Sequence, residues 1–181
     1  MTTYTLNIVP DDIPESPREW DNLGIMACSH SRYQLGDPDF SPEDIPEDAI
    51  GILPLYLYDH SGITMNTTGF SCNWDSGQVG YIYTTEEKIK EYYCRYGLCG
   101  DNPPTEDKIE EYLRNEVATY DTFIRGEIYG FTLESDGEHS GSCFGFYDIA
   151  DIVEHLPTPL VNHLKTNNID IEYGENVLTL A

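Results

Sequence analysis

Basic side chains are scarce in this sequence. Lys and Arg number 9 against 33 Asp and Glu, which gives a formal net charge of −24 over 181 residues. A field of that sign repels phosphate backbones and anionic membrane surfaces, and it raises the rate of encounter with basic surfaces. The composition therefore disfavours direct binding of nucleic acid or membranes and favours a basic protein partner.

Long apolar runs and dense cysteine patterns are also missing. No stretch of about 18 apolar residues occurs, and residues 1–10 lack the basic flank and apolar centre of a signal peptide. We therefore expect a cytosolic protein. The five cysteines form an odd set with no disulfide framework, which is typical of reduced thiols. They are Cys28, Cys72, Cys94, Cys99 and Cys143.

Apolar and aromatic residues are frequent enough for a packed core. They include 14 Tyr, and 39% of the chain is hydrophobic, so the charge is carried by a foldable sequence. The length suits one core, which predicts a single domain over residues 1–181.

Strands are predicted from alternation and from apolar runs. Period-two alternation indicates a strand at 3–9, and an apolar run indicates a buried strand at 49–59 in which Pro54 marks a bulge or an edge. Shorter strands follow at 63–66 and 78–84. We expect the middle of the chain to form a small meander.

Helices dominate the next part of the chain. Thr85 and Thr105 are hydroxyl caps before acidic first turns, and they predict one helix that ends near Gly97 and an amphipathic helix over 106–124.

The C-terminal part predicts a hairpin, two short helices and a final strand. The hairpin joins 126–133 to 142–147 through the polar turn 134–141, short helices follow up to Lys165, and one or two strands lie within 169–180. The pattern as a whole predicts an α+β fold with one small mixed or antiparallel sheet, two main helices and short C-terminal helices.

The most acidic window covers residues 36–48, and it has prolines at 38, 42 and 46 and no basic residue. Such a run is typical of a solvated loop kept extended by proline and self-repulsion. Alternatively, its carboxylates form a row that binds a partner, which acidic groups of the helix at 106–116 would extend. The window residues predicted to bind are Asp37, Asp39, Glu43, Asp44, Glu47 and Asp48.

Residues 71–80 form a second candidate site. Trp74 and Asp75, together with Ser76 and Gln78, fit a polar recognition loop. A tight glycine turn in which Trp74 closes the core explains the same residues. We add Trp74 and Asp75 to the predicted partner-binding set.

Catalytic motifs are weak. Asp59, His60 and Ser61 have the residue types of a hydrolase triad, but adjacent residues do not converge on one substrate atom, and no Gly-x-Ser-x-Gly motif occurs. A small phage hydrolase that uses Cys72 and His60 stays as an alternative. We predict that the protein is not an enzyme.

Metal and cofactor motifs are equally weak. Cys28 and His30, with Cys94 and Cys99, resemble half of a zinc pattern, but zinc sites usually show two tight pairs. No glycine-rich phosphate loop is present. We predict no metal and no cofactor.

Four segments carry a resemblance to a known family. They are DNLG at 21–24, RYQLGD at 32–37, LPLYLYDHSGITM at 53–65 and SCNWDSGQVGYIY at 71–83. Together they resemble a family of small proteins encoded by bacteriophages of gut Firmicutes, at least one branch of which is similar to the type II-A anti-CRISPR proteins. The likeness covers the first half of the chain well and the second half loosely.

The resemblance implies an inhibitor that acts in the host bacterial cytoplasm on an RNA-guided effector nuclease with its guide RNA. Such a nuclease holds nucleic acid in a positively charged channel, which an acidic protein can occupy. The hypothesis is therefore a nuclease inhibitor that prevents DNA cleavage. A DNA-mimic anti-restriction protein is the alternative.

Overall fold

The structure, a computed structural model, describes residues 1–97 and 104–180. The chain forms two compact units, which are unit 1 (Met1–Glu15 and Gly126–Ala181) and unit 2 (Ser16–Arg125). Each unit has its own four-stranded antiparallel sheet. The α+β class is confirmed, with two sheets where one was expected. The single domain over 1–181 stays a prediction.

All elements of unit 2 lie between the first and the second strand of unit 1 in the chain. In chain order they are β1 (Thr2–Pro10), a 3₁₀ turn (Pro17–Glu19), β2 (Ile25–Cys28), β3 (Ile50–Asp59), β4 (Ile63–Asn66), β5 (Ser76–Thr84), α1 (Glu86–Arg95), α2 (Glu106–Ile124), β6 (Tyr129–Ser135), β7 (Glu138–Phe146), a 3₁₀ segment (Ile149–His155), α3 (Thr158–Asn167) and β8 (Gly174–Leu180).

Unit 1 is a sheet in the order β7-β6-β1-β8 with helical segments on one face. Leu6 and Ile8 of β1 lie opposite Leu133 and Phe131 of β6, and all four side chains are buried. They pack in one apolar cluster with α3, whose Leu160 is fully buried. Each such side chain contributes roughly 1.5–3 kcal/mol of burial free energy.

The β6–β7 hairpin closes through two residues. Asp136 and Gly137 have φ values of 50° and 84°, the left-handed geometry of a tight hairpin turn that Asp-Gly favours. The predicted turn over 134–141 is therefore too long. Along the strands, the ring of Phe144 covers Gly130 so closely that a Cβ there would lie 2.0 Å from it.

Unit 2 is a sheet in the order β2-β5-β3-β4, packed against α2. Ile109, Leu113 and Val117 of α2 are buried in one cluster with Leu55 and Leu57 of β3. The predicted meander is wrong, because β5 pairs with β3 and leaves β4 at the edge. β2, for which there was no prediction, lies at the other edge.

Pro54, which has no backbone N–H to donate, lies at a position where the sheet tolerates that absence. β4 pairs only with the end of β3, from Tyr56 to Asp59, so no described strand lies beside Pro54 on that side. Register shifts flank it on the side of β5. The prediction of a proline at a bulge or edge is confirmed.

Both main helices have the predicted caps. The hydroxyl of Thr85 accepts a hydrogen bond from the Lys88 amide, and that of Thr105 accepts one from the Lys108 amide. α1 ends at Arg95, two residues before Gly97 at a φ of 69°. No helix among the described residues is long and apolar enough to cross a membrane.

The cysteines differ from one another. Cys28, Cys72 and Cys143 are free thiols, whereas Cys94 is disulfide-bonded. The sequence left open whether Cys94 forms a disulfide, and Cys94 is the exception to the reduced thiols among the described cysteines. Cys99 lies outside the described residues.

Candidate functional site

A buried ion network lies at the base of the acidic window. The Arg18 side chain is 5% exposed, and its Nε donates to Asp37 Oδ1 at 2.8 Å while its Nη2 donates to Asp37 Oδ2 at 2.9 Å. Its Nη1 donates to Glu116 Oε2 at 3.0 Å. Burial acts to lower the pKa of Arg18, but the hydrogen bonds and charges of the two carboxylates outweigh it and raise the pKa. The cation is therefore held charged inside unit 2.

The same two carboxylates also satisfy backbone amides. Glu116 accepts hydrogen bonds from the amides of Leu23 and Gly24, and Asp37 accepts one from the Met26 amide. The segments 21–24 and 32–37 meet at this network. Asp37 was predicted to bind a partner, but its carboxylate is occupied inside the unit, and we assign it a structural role.

The acidic window is a chain of three turns. Each turn is closed by a backbone hydrogen bond: from the Phe40 amide to Asp37 O at 3.2 Å, from the Asp44 amide to Ser41 O at 3.0 Å, and from the Ala49 amide to Pro46 O at 3.1 Å. Proline follows the first residue of the turns at 37–40 and 41–44, the position where its fixed φ favours a turn. The predicted loop is thus confirmed, and it is folded rather than extended.

Apolar contacts hold this turn chain against the sheet. Ile45 and Ala49 pack on the cluster of Ile25, Ala27 and Tyr83. Burial raises the pKa of Tyr83, and the negative charges of Asp37 and Asp44 add to the rise. The window is therefore anchored at its base and again near its end.

The remaining window carboxylates point into solvent. The sequence has no Lys or Arg from position 33 to position 87, so no cation of the window itself or of the strands that follow it dilutes them. The exposed acidic residues are Asp39, Glu43, Asp44, Glu47 and Asp48.

Basic residues dilute the acidic groups of helix α2. Arg114 pairs with Glu110 at 2.8 Å, Lys108 pairs with Glu111 at 2.7 Å, and Glu116 is part of the buried network. The helix surface is therefore a mixture of both signs, as is typical of pairs three and four residues apart.

Trp74 lies on the surface. Its side chain is 96% exposed, so the alternative in which it closes the core is wrong. It borders a cavity of about 370 Å³ that we call the Trp74 pocket. The polar and aromatic residues that line this pocket include Ser29, His30, Arg32, Asp59, Trp74 and Asp75.

Two carboxylates of the Trp74 pocket have different partners. Asp59 pairs with the Arg32 guanidinium and accepts a hydrogen bond from the Tyr33 hydroxyl at 3.2 Å. Asp75 Oδ2 lies 3.6 Å from His60 Nδ1 and 3.6 Å from Cys72 Sγ.

The window and the Trp74 pocket lie at opposite ends of β3. The window leads into Ile50, which pairs with Thr84, whereas Tyr58 at the other end of the strand pairs with Ser76 beside Trp74. A strand of ten residues spans roughly 30 Å. The predicted partner-binding residues therefore form two separate surfaces.

Cys72 and His60, the residues of the hydrolase alternative, both contact Asp75 at the edge of the pocket. The Cys72 thiol donates to Asp75 Oδ2 at 3.6 Å, and His60 Nδ1 lies 3.6 Å from the same oxygen. Among residues 1–97 and 104–180, no group of three or more His, Cys, Asp or Glu is placed to hold a metal ion.

Sequence patterns missed the two basic residues that organise these sites. Arg18 and Arg32 are isolated cations within acidic or polar segments, and each accompanies a half-buried carboxylate, Asp37 or Asp59. The scarcity of basic residues is the signal that could have identified them. In a sequence with so few cations, each one is a candidate for an ion pair with a nearby carboxylate.

Comparison of the chain with protein-family models, with curated proteins and with solved structures finds no match.

Proposed function

We propose that the protein binds a basic, nucleic-acid-handling protein through the exposed carboxylates of the acidic window. The carrying observation is that five of them project from three consecutive turns in a segment without a cation. The sequence resemblance suggests that the target is a type II CRISPR effector nuclease with its guide RNA, and that binding prevents DNA cleavage.

Preorganisation supports this proposal. A loop that is ordered only on binding loses conformational freedom, which weakens the complex. The window is already held by the Arg18–Asp37 pair at one end and by Ile45 and Ala49 on the sheet. Its carboxylates can therefore meet a basic groove with little reordering.

Charge density supports it as well. Duplex DNA presents about one negative charge per 1.7 Å of axis, and a protein that displaces it needs carboxylates grouped on one surface. Here they lie within residues 39–48. A positively charged nucleic-acid channel is complementary to such a group.

The first test is inhibition. Near-equimolar protein should suppress cleavage by the guide-loaded nuclease, and it should co-elute with that nuclease. Unchanged cleavage with a folded, pure sample contradicts the choice of target. Retention of a restriction or modification complex from host lysate, without the nuclease, favours the anti-restriction alternative.

The second test is charge reversal with a matched control. The variant replaces the exposed window carboxylates with Lys and leaves Asp37 in place because of its internal pair. The control replaces five exposed carboxylates of unit 1 with Lys: Glu138, Glu154, Asp170, Glu172 and Glu175. Five replacements of two charges each take either variant from −24 to −14.

Only the window variant should lose binding, because the proposal places the contact there. The association rate of the wild type should fall steeply with salt, since exposed charges are screened within about 8 Å at physiological ionic strength. If the window variant stays within about threefold of the wild-type affinity, or about 0.7 kcal/mol, the window is a solvated loop. Equal losses in both variants indicate a general field effect.

A further inference from the structure

An indole and a carboxylate from adjacent residues, Trp74 and Asp75, both line the Trp74 pocket, and neither has a Lys or Arg paired to it among the described residues. Trp74 is 96% exposed, and the Asp75 side chain is 38% exposed. The contacts of the Asp75 carboxylate are the two at 3.6 Å to Cys72 and His60, both through Oδ2. Within the described part of the chain, no Lys or Arg pairs with Asp75.

Arg32 and Asp59, which line the same pocket, form a complete version of this arrangement together with the neighbouring Tyr33. Arg32 pairs with the Asp59 carboxylate, and its guanidinium carbon lies 5.5 Å from the centre of the Tyr33 ring. A carboxylate and an aromatic face therefore hold a guanidinium at one part of the pocket wall. Trp74 and Asp75 offer the same two groups at another part, without the cation.

We infer that the Trp74 pocket receives an arginine side chain of the basic partner, with the guanidinium over the Trp74 indole and paired to Asp75. Trp is the aromatic residue that attracts cations most strongly. Arg fits better than Lys, because its planar group stacks on a ring while it donates two hydrogen bonds to a carboxylate, and because it is less strongly hydrated. This inference rests on the proposed function, since it identifies a residue type of the same partner.

The pocket has the size and charge for this ligand. Its volume of about 370 Å³ accommodates a side-chain head group. Asp59 and Asp75 against Arg32 leave one negative charge when the histidines are neutral. Trp and Arg are also among the residues that most often dominate interface energies.

The test uses N-acetyl-arginine amide as the probe and the indole N–H of Trp74 as the reporter. The chain has two Trp, so a Trp74→Phe spectrum assigns the two indole signals in a ¹H–¹⁵N correlation spectrum. We expect a saturable shift of the Trp74 signal in the millimolar range, with the Trp20 signal unchanged. N-acetyl-citrulline amide, which has the same shape without the charge, should bind at least fivefold more weakly.

Two variants test whether the arginine probe binds in this pocket or to the acidic protein in general. Asp75→Asn should weaken binding of the arginine probe at least fivefold, whereas Asp39→Asn, an exposed carboxylate of the window, should change it less than twofold. Equal affinity for Asp75→Asn and the wild type overturns the inference. So does equal binding of the citrulline probe, or the lack of a saturable Trp74 shift.

The outcome is independent of the test of the proposed function. If the arginine probe binds in an Asp75-dependent manner and nuclease cleavage is unaffected, the proposed target is wrong and the arginine site is supported. If cleavage is suppressed but the probe does not bind, the arginine site is wrong and the proposed inhibition is supported.

Discussion

The two units carry the same formal charge and arrange it differently. Unit 1 has thirteen acidic residues against Lys165 alone, and unit 2 has twenty against eight basic residues, so each has a formal charge of −12. In unit 1 the main cluster is entirely apolar. In unit 2 a buried Arg18 joins two carboxylates and the loops that carry them.

This contrast shows two ways of folding an acidic chain. In unit 1 two exposed carboxylates accept hydrogen bonds from backbone amides, Asp136 from Thr3 and Asp148 from Ala150. In unit 2 the buried Arg18 joins loops to the sheet and to α2. The fold of unit 2 therefore depends on ion pairs, and removal of one member leaves the charge of the other uncompensated. An uncompensated buried charge is far more costly than an exposed one.

The largest expected effect is the loss of the buried cation. Arg18→Met should destabilise unit 2 by about 3–5 kcal/mol, because Asp37 and Glu116 are left largely buried without the cation that balances their charges. Urea unfolding measures the loss. Lys165→Met, the matched change at an exposed residue of unit 1, should stay within about 0.5 kcal/mol.

The same variant tests the single domain. Hydrogen exchange resolves the two units, and Arg18→Met should reduce protection in the strands of unit 2 and in α2. If protection in β1 and β6 falls with it, the chain unfolds as the one domain predicted from sequence. If protection there stays at the wild-type level, the units are separate domains.

Truncation of a buried side chain in the apolar core of unit 1 should leave a cavity and lower the free energy of unfolding. Leu160 is fully buried, and Leu160→Ala should cost about 3 kcal/mol, within the range for buried leucines. Thermal unfolding with hydrogen exchange locates the loss in unit 1. A cost below about 1 kcal/mol contradicts the close packing of α3 on its sheet.

A smaller effect is expected at the glycine beneath Phe144. Gly130→Ala should cost about 1–3 kcal/mol by overpacking, since the added Cβ meets the ring. Gly141→Ala is the matched control in the same hairpin, because no atom lies within 4 Å of its Cβ position. Addition of Phe144→Ala to Gly130→Ala should recover part of the loss in urea unfolding, and no recovery means that the ring is not the cause.

The smallest effect concerns thiol reactivity and leaves the fold unchanged. Burial, with the charge of Asp37, raises the pKa of Cys28 to about 12, although Arg18 opposes the rise. At pH 8 only about one Cys28 in ten thousand is then the reactive thiolate. Alkylation followed by mass spectrometry should modify Cys72 and Cys143 at least tenfold faster. Equal rates in the folded protein contradict this environment.

Local patterns predicted the elements well where neighbours in sequence determine the structure. Thr105 and the three-and-four spacing of Ile109 and Leu113 predicted α2 with its observed bounds. β2 was missed because four residues carry too little periodicity. The prediction of a meander was wrong because strand order depends on which strand edges pair across the sheet. Alternation along a single strand contains no information about that pairing.

The sequence by itself determined the α+β class, the two capped helices and the acidity of the window, because propensity, capping and charge are properties of short segments. Only the tertiary structure decided which acidic residues are free. Asp37 and Asp39 are the same residue type two positions apart, yet one pairs with a buried arginine 19 positions away in the chain and the other faces solvent. A carboxylate takes its role from the cation and the solvent around it, and those are brought to it by distant parts of the chain.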